Sequence, residues 1–453
     1  MSKKLLLAAS AAAILSASPA IAADDADLNA LREEIRAMQS AYETKIRELE
    51  NKVETLEAKQ VRTDEKVAAV EPAAGRPAVP ATSRRQVNDN SFNPEIGVIL
   101  QGKYQGFSED DGDIAGFAIG EEAERGTEGL SIDETELNFS ANIDNLFRGN
   151  ATIALHEREG EVEVEVEEAY VETTSLPHGL QAKAGRFFSE LGYLNSHHSH
   201  ADDFADRPLT NRAFLDGNYG DDGVQISAVL PTDFYSEIGG GAYRGNDFPG
   251  GGADGGEIGS WTAYGRVGGD IGDNTSWRLG ASILQVSDAE REANEDMVVF
   301  NGDSGLYIAD ARVVYAPTGN NAEQELIFQG EYFHRDDDGT YDDMDAGTGP
   351  VAYDDSQSGW YAQGVYKFDP QWRAGVRYSQ LYAGDVPTGL SGSALDDGGH
   401  DPWAAAAMVD WTNSEFSRAR IQYNREELAD GHEDNQIILQ YVMSLGAHGA
   451  HAY

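Results

Sequence analysis

Between residues 95 and 446 the chain keeps one rhythm. Short segments of alternating apolar and polar side chains are joined by a long acidic stretch, then a tight turn, then a long stretch again. The long joints fall at 108–129, 191–222, 244–256, 287–303, 336–356 and 384–400, the short ones at 144–148, 175–179, 231–233, 273–275, 368–371 and 412–415. A soluble β-sandwich has no reason to sort its connections in this way. A closed transmembrane barrel has one, because short turns gather at one rim and longer loops at the other. The rhythm predicts an all-β fold, an antiparallel transmembrane barrel of about sixteen strands over residues 92–453.

Within a strand the pleat fixes a period of two, so each segment should carry one lipid face and one lumen face. Trp372, Ala374, Val376 and Tyr378 share one face, against Arg373, Arg377 and Ser379. Ala419, Ile421 and Tyr423 likewise oppose Arg418, Arg420 and Gln422, and Ile437, Leu439, Tyr441, Met443 and Leu445 line one side of the last segment. Trp261, Trp277, Trp360, Trp372, Trp403 and Trp411 fall near segment ends, where interfacial aromatic girdles belong.

The N-terminal part reads differently. Lys3 and Lys4, the apolar run 5–15 and Ala20-Ile21-Ala22 compose a secretory signal over 1–22. Residues 23–60 carry apolar positions every three or four residues, from Leu28 to Leu56, with one stutter near Tyr42. That seam predicts a periplasmic coiled coil, most simply one that gathers three copies into a homotrimer. Residues 61–91, with Pro72, Pro77 and Pro80, form an extended linker.

The chain has no cysteine, so nothing in it needs disulfide bonds. Its formal charge of −46 excludes nucleic acid as a partner. Lipid and lipopolysaccharide, bridged by divalent ions, are the expected surroundings.

On these face assignments Glu134, Glu136, Glu163, Glu165 and Glu167 line one wall of the pore, and Arg266, Arg278, Arg312, Arg373, Arg377, Arg418 and Arg420 the other. Opposed charged walls filter solutes by field as well as width. The third long stretch holds His197, His198, His200, Asp202, Asp203 and Asp206. Imidazole beside carboxylate suits zinc, and His197, His200 and Asp203 are the ligands the spacing suggests. His448 and His451 form a second group near the C-terminus. The acidic stretches around Asp336–Asp338 and Asp342–Asp345 resemble calcium loops in composition alone, so weak zinc or calcium binding is expected and no cofactor is required. Gly302-Asp303-Ser304-Gly305 reads as a turn, and the absence of HExxH, GxSxG and phosphate-loop motifs predicts no enzyme.

The stretches Glu167-Glu168-Ala169-Tyr170-Val171-Glu172 and Ala184-Gly185-Arg186-Phe187-Phe188-Ser189-Glu190-Leu191-Gly192 resemble part of the phosphate-selective porin superfamily of Gram-negative outer membranes. The helical extension is similar to that of some trimeric sugar porins. The resemblance implies that the third loop folds into the lumen and sets the constriction. Phosphate selectivity would need a basic path, and this chain is acidic. The expectation is passive diffusion of small hydrophilic solutes or ions, biased toward cations and connected with zinc. The alternative is a barrel plugged by its own loops that anchors the outer membrane to the periplasm.

Overall fold

The computed structural model describes residues 94–446 apart from 110–111, 124–125, 127, 159–160 and 252–257. The predicted signal, coiled coil and linker, and His448 and His451, lie outside the described residues. Seventeen β-segments follow one another: β1 (Glu95–Gly106), β2 (Gly129–Ser131), β3 (Thr135–Asn142), β4 (Phe147–Arg158), β5 (Glu161–Thr173) and β6 (Leu180–Phe188). After the third loop come β7 (Gly220–Val229), β8 (Tyr235–Tyr243), β9 (Ser260–Ile271), β10 (Thr275–Ala293), β11 (Val298–Tyr315) and β12 (Glu325–Asp343). The wall ends with β13 (Val351–Asp369), β14 (Trp372–Tyr382), β15 (Trp403–Ser414), β16 (Ser417–Ala429) and β17 (His432–Gly446). One short helix, α1 (Leu209–Leu215), lies in the third loop.

Apart from β2 and β3, which do not pair with each other, every segment pairs antiparallel with the next in sequence, and β1 pairs with β17 from Gly97↔Gly446 to Gly106↔Ile437. The sheet is therefore closed. β2 and β3 both pair with the same side of β1, at Lys103↔Ser131 and Ile99↔Glu136, so they are two pieces of one strand and the barrel has sixteen strands. Closure leaves no unpaired edge, the condition for a sheet to stand in lipid.

The alternation read from the sequence appears as inside and outside. Val376, Tyr378, Ile421, Tyr423, Ile437, Leu439, Tyr441, Met443 and Leu445 are exposed on the outer surface, while Arg377, Ser379, Arg420 and Gln422 are buried within. In β5, Val162, Val164 and Val166 face outward. A bulge opposite Thr152 and Ile153 then turns Glu167 and Glu168 together to the interior. A contiguous apolar belt of this size is a membrane surface and not a soluble one. Trp372 and Trp411 pair at one rim (6.4 Å between centroids), and Trp403 stacks on Tyr378 toward the other. Ten residue steps from Trp372 to Tyr382, at ~3.3 Å per residue and a tilt of ~40°, span about 25 Å, the height of an outer-membrane apolar band.

Two expected loops turn out to be mostly strand. The stretches 287–303 and 336–356 continue β10–β11 and β12–β13 as hairpins, which turn at 294–297 and 344–350. These four strands are 18 or 19 residues long, well past the roughly 9–11 needed to span a bilayer. Their acidic outward positions hid an inward set of Ala289, Arg291, Ala293, Val298 and Phe300, all buried. Gly302-Asp303-Ser304-Gly305 lies inside β11, where Ser304 donates to Asp337 (2.6 Å) and Arg291 pairs with Asp337 (2.7 Å).

Val376→Arg on the lipid face should destabilise the folded barrel by about 2–4 kcal/mol if it sits near the bilayer midplane. The check is the urea midpoint in lipid vesicles.

Candidate functional site

Residues 189–219, between β6 and β7, cross the inside of the barrel. Buried apolar side chains (Leu191, Leu194, Phe204, Leu209, Phe214, Leu215) fix this third loop internally. Asn195 accepts from the Tyr219 backbone and donates to the carbonyls of Ser189 and Tyr219, tying the two ends together. The first loop joins it. Ile114, Phe117 and Ile119 are each 1% exposed and pack with Phe214, Phe300, Phe333 and Tyr341 in an apolar core inside the barrel. The run Ile114-Ala115-Gly116-Phe117-Ala118-Ile119 is the sequence signal for this plug, an apolar segment set within an otherwise acidic stretch.

Each of the seven arginines predicted to line the pore is engaged by the third loop instead. Arg266 pairs with Glu190 (2.5 Å), Arg278 donates to the Gly192 carbonyl (3.1 Å), and Arg312 lies over the Tyr193 ring (4.8 Å). Arg373 bridges Asp203 (2.7 Å) and Asp410 (2.6 Å), and Arg377 holds Asp206 (2.7 Å). Arg418 and Arg420 donate to the carbonyls of His200 (2.6 Å) and Asp202 (2.8 Å). Burial alone would raise Asp203 and Asp206, but Arg373 and Arg377 hold both below the usual carboxylate range. Asp202, buried against Arg207, is pushed up to about 6 by desolvation.

What stays open is a cavity of about 1110 Å³ on the opposite side, between the third loop and the wall of β1 to β6. It runs from Asn246 and Asp296 at the long-loop end to Gln101 and Glu134, midway down the barrel. Glu134, Glu165 and Glu167 line it, with Asp202 and Asp206 from the loop; none of the seven arginines does. Glu136 is buried behind the lining, and Glu163 pairs with His156 (3.5 Å). Fourteen acidic side chains face the cavity against five basic ones (Lys103, Arg186, Arg207, Arg212, Arg291), so its field favours cations.

The histidines separate. His197 stacks on Tyr193, and its Nδ1 lies 2.7 Å from the Tyr193 carbonyl. Burial, reinforced by Arg207, lowers it to about 4. Asp203 is committed to Arg373, so the suggested trio of His197, His200 and Asp203 is not assembled. His198 meets the glutamates: Nδ1 lies 3.0 Å from Glu167 and 3.5 Å from Glu136, and Nε2 3.1 Å from Glu168. Burial opposes charge on His198, yet Glu167 and Glu136 outweigh it and raise its pKa. His200 Nδ1 sits 2.5 Å from Glu136. Period-two reading had already put Glu134, Glu136 and Glu167 inside, but which histidine would reach them depends on the turns at 194–201.

No protein-family model matches the chain. An uncharacterized protein of Aquifex aeolicus strain VF5 is 28% identical over 401 residues, 81% of either chain. Among solved structures, the chain is similar to an anion-selective porin from Comamonas acidovorans (10% identity, 78% of this chain and 99% of that one, TM-score 0.48). It is similar also to OmpF of Salmonella typhi (12%, 78% and 97%, 0.48) and OprB of Pseudomonas putida (11%, 78% and 94%, 0.46).

Arg373→Ala leaves Asp203 and Asp410 buried without their shared cation, so stability should fall by about 3–5 kcal/mol. Protease cleavage within 189–219 should appear before the barrel itself unfolds in a thermal series. Because His197 is harder to protonate folded than unfolded, its contribution is present above its ordinary 6.5 and is lost as pH falls toward about 4. His197→Gln should flatten the stability profile in that window.

Proposed function

We propose that the chain is an outer-membrane channel for passive diffusion of small hydrophilic solutes, biased toward cations. The observation that carries this reading is the division of the lumen. The loop covers the arginine wall, pairing Arg266, Arg373 and Arg377 with carboxylates, and the acid-rich wall is left facing open space. No chemical step is called for: cavity width and an acidic field select what passes. The apolar belt supports membrane insertion, and the predicted signal supports the outer membrane as its place. The seam over 23–60 would hold three copies together beneath it, with lipopolysaccharide around the barrel.

The apolar core formed by the first and third loops favours a second reading, a plugged barrel that serves as an anchor. The two differ in conductance. Purified protein in a planar bilayer under a potassium chloride gradient should give stepwise currents with a cation-selective reversal potential. Glu157→Gln with Glu165→Gln should cut the potassium-over-chloride permeability ratio about twofold or more at 0.1 M salt, where screening acts over about 10 Å. Silence from folded protein would leave the anchor.

A further inference from the structure

One group of ligand-type side chains takes no part in holding the third loop against the arginines. Glu134, Glu136, Glu167 and His198 each present one ligand atom, and all four atoms lie within 4.8 Å of one another. They come from separate places: Glu134 from the break between β2 and β3, Glu136 from β3, Glu167 from the bulge of β5, and His198 from the third loop.

The spacing can be tested against a metal's requirements. A zinc ion with bonds of about 2.0–2.2 Å in a tetrahedral site sets its ligand atoms roughly 3.3–3.6 Å apart. His198 Nδ1 lies 3.5 Å from Glu136 Oε2 and 3.0 Å from Glu167 Oε2, so these two contacts fall within a few tenths of an ångström of that spacing. The surroundings are also those of a ligand set. Glu168 takes the other ring nitrogen of His198 at 3.1 Å, which fixes the ring and leaves Nδ1 toward the glutamates. A carboxylate behind a histidine is the usual orienting partner in metal sites. His200 holds Glu136 through its second oxygen.

An independent observation points the same way. Glu134 Oε1 is sealed from solvent and has no hydrogen-bond partner among the described residues. A buried polar atom left unpaired is costly, and a cation held at this cluster would supply its partner.

We propose that Glu134, Glu136, Glu167 and His198 form a binding site for a divalent transition-metal cation, of which zinc is the type, in the wall of the cavity. One imidazole with carboxylates suits zinc better than calcium, which takes six to eight oxygens at longer distances. The set differs from the one suggested by sequence spacing, sharing none of its three residues. Glu134 and Glu167 also line the cavity, so the ion reaches the site from the lumen. Binding neutralises part of the acidic wall and ties the third loop to β5. On the channel reading, which this consequence requires, cation current falls.

The test is isothermal titration of zinc chloride into the folded full chain at pH 7, with circular dichroism checking the fold of each variant. Wild type should bind one ion per chain. His198→Gln and, separately, Glu167→Gln should each weaken binding tenfold or more, while His197→Gln should keep it. Absence of saturable binding to wild type overturns the site. So does unchanged affinity in both His198→Gln and Glu167→Gln, or loss in His197→Gln alone. Micromolar zinc should then lower bilayer current through wild type and spare His198→Gln. Zinc binding by protein that never conducts keeps the site and removes the channel; conductance without zinc binding does the reverse.

Discussion

Seven guanidinium groups point into a cylinder whose outside is lipid, and a guanidinium does not shed its proton. Each must find an acceptor or remain an uncompensated charge in a poorly solvated space. The third loop provides acceptors for six of them between Glu190 and Asp206, some as carboxylates and some as backbone carbonyls, and lays the Tyr193 ring against Arg312, which donates to Gln329. Its position is dictated by that demand. The side away from these seven arginines is the side left open, and the character of the open space follows: its lining is mostly acidic because that basic wall is covered.

The apolar core completes the arrangement. Loop residues inside a barrel would ordinarily carry unsatisfied backbone groups, but α1 and the turns around 194–201 satisfy many of theirs locally. Phe117 meets Phe214 edge-on, and Phe214 stacks on Phe333, so two loops and the long-strand wall share one packed interior. The lumen is thus divided between protein core and open cavity, with Asp202, Asp206 and Arg212 of the third loop on the cavity side.

Much of the wall was legible because a strand repeats every two residues whatever its neighbours do. Val162, Val164 and Val166, and the matched faces of β14, β16 and β17, could be assigned from spacing alone. Three things could not. The hairpin extensions of β10 to β13 were masked by outward Asp336, Asp338 and Asp354, which are as acidic as a loop. The partners of the arginines lie in a segment up to 218 residues away and obey no period. The choice of His198 over His197 depends on two short turns that rotate adjacent side chains to opposite sides. Local periodicity carries the frame; long-range charge pairing and turn geometry carry the site.

The cavity borders the place where the sheet meets itself. Gln101, Lys103 and Gln105 of the first strand and Gln436 and Ile438 of the last all face it. The strands that close the sheet therefore give the cavity part of its wall. Closure of the cylinder and completion of the cavity depend on the same pair of strands.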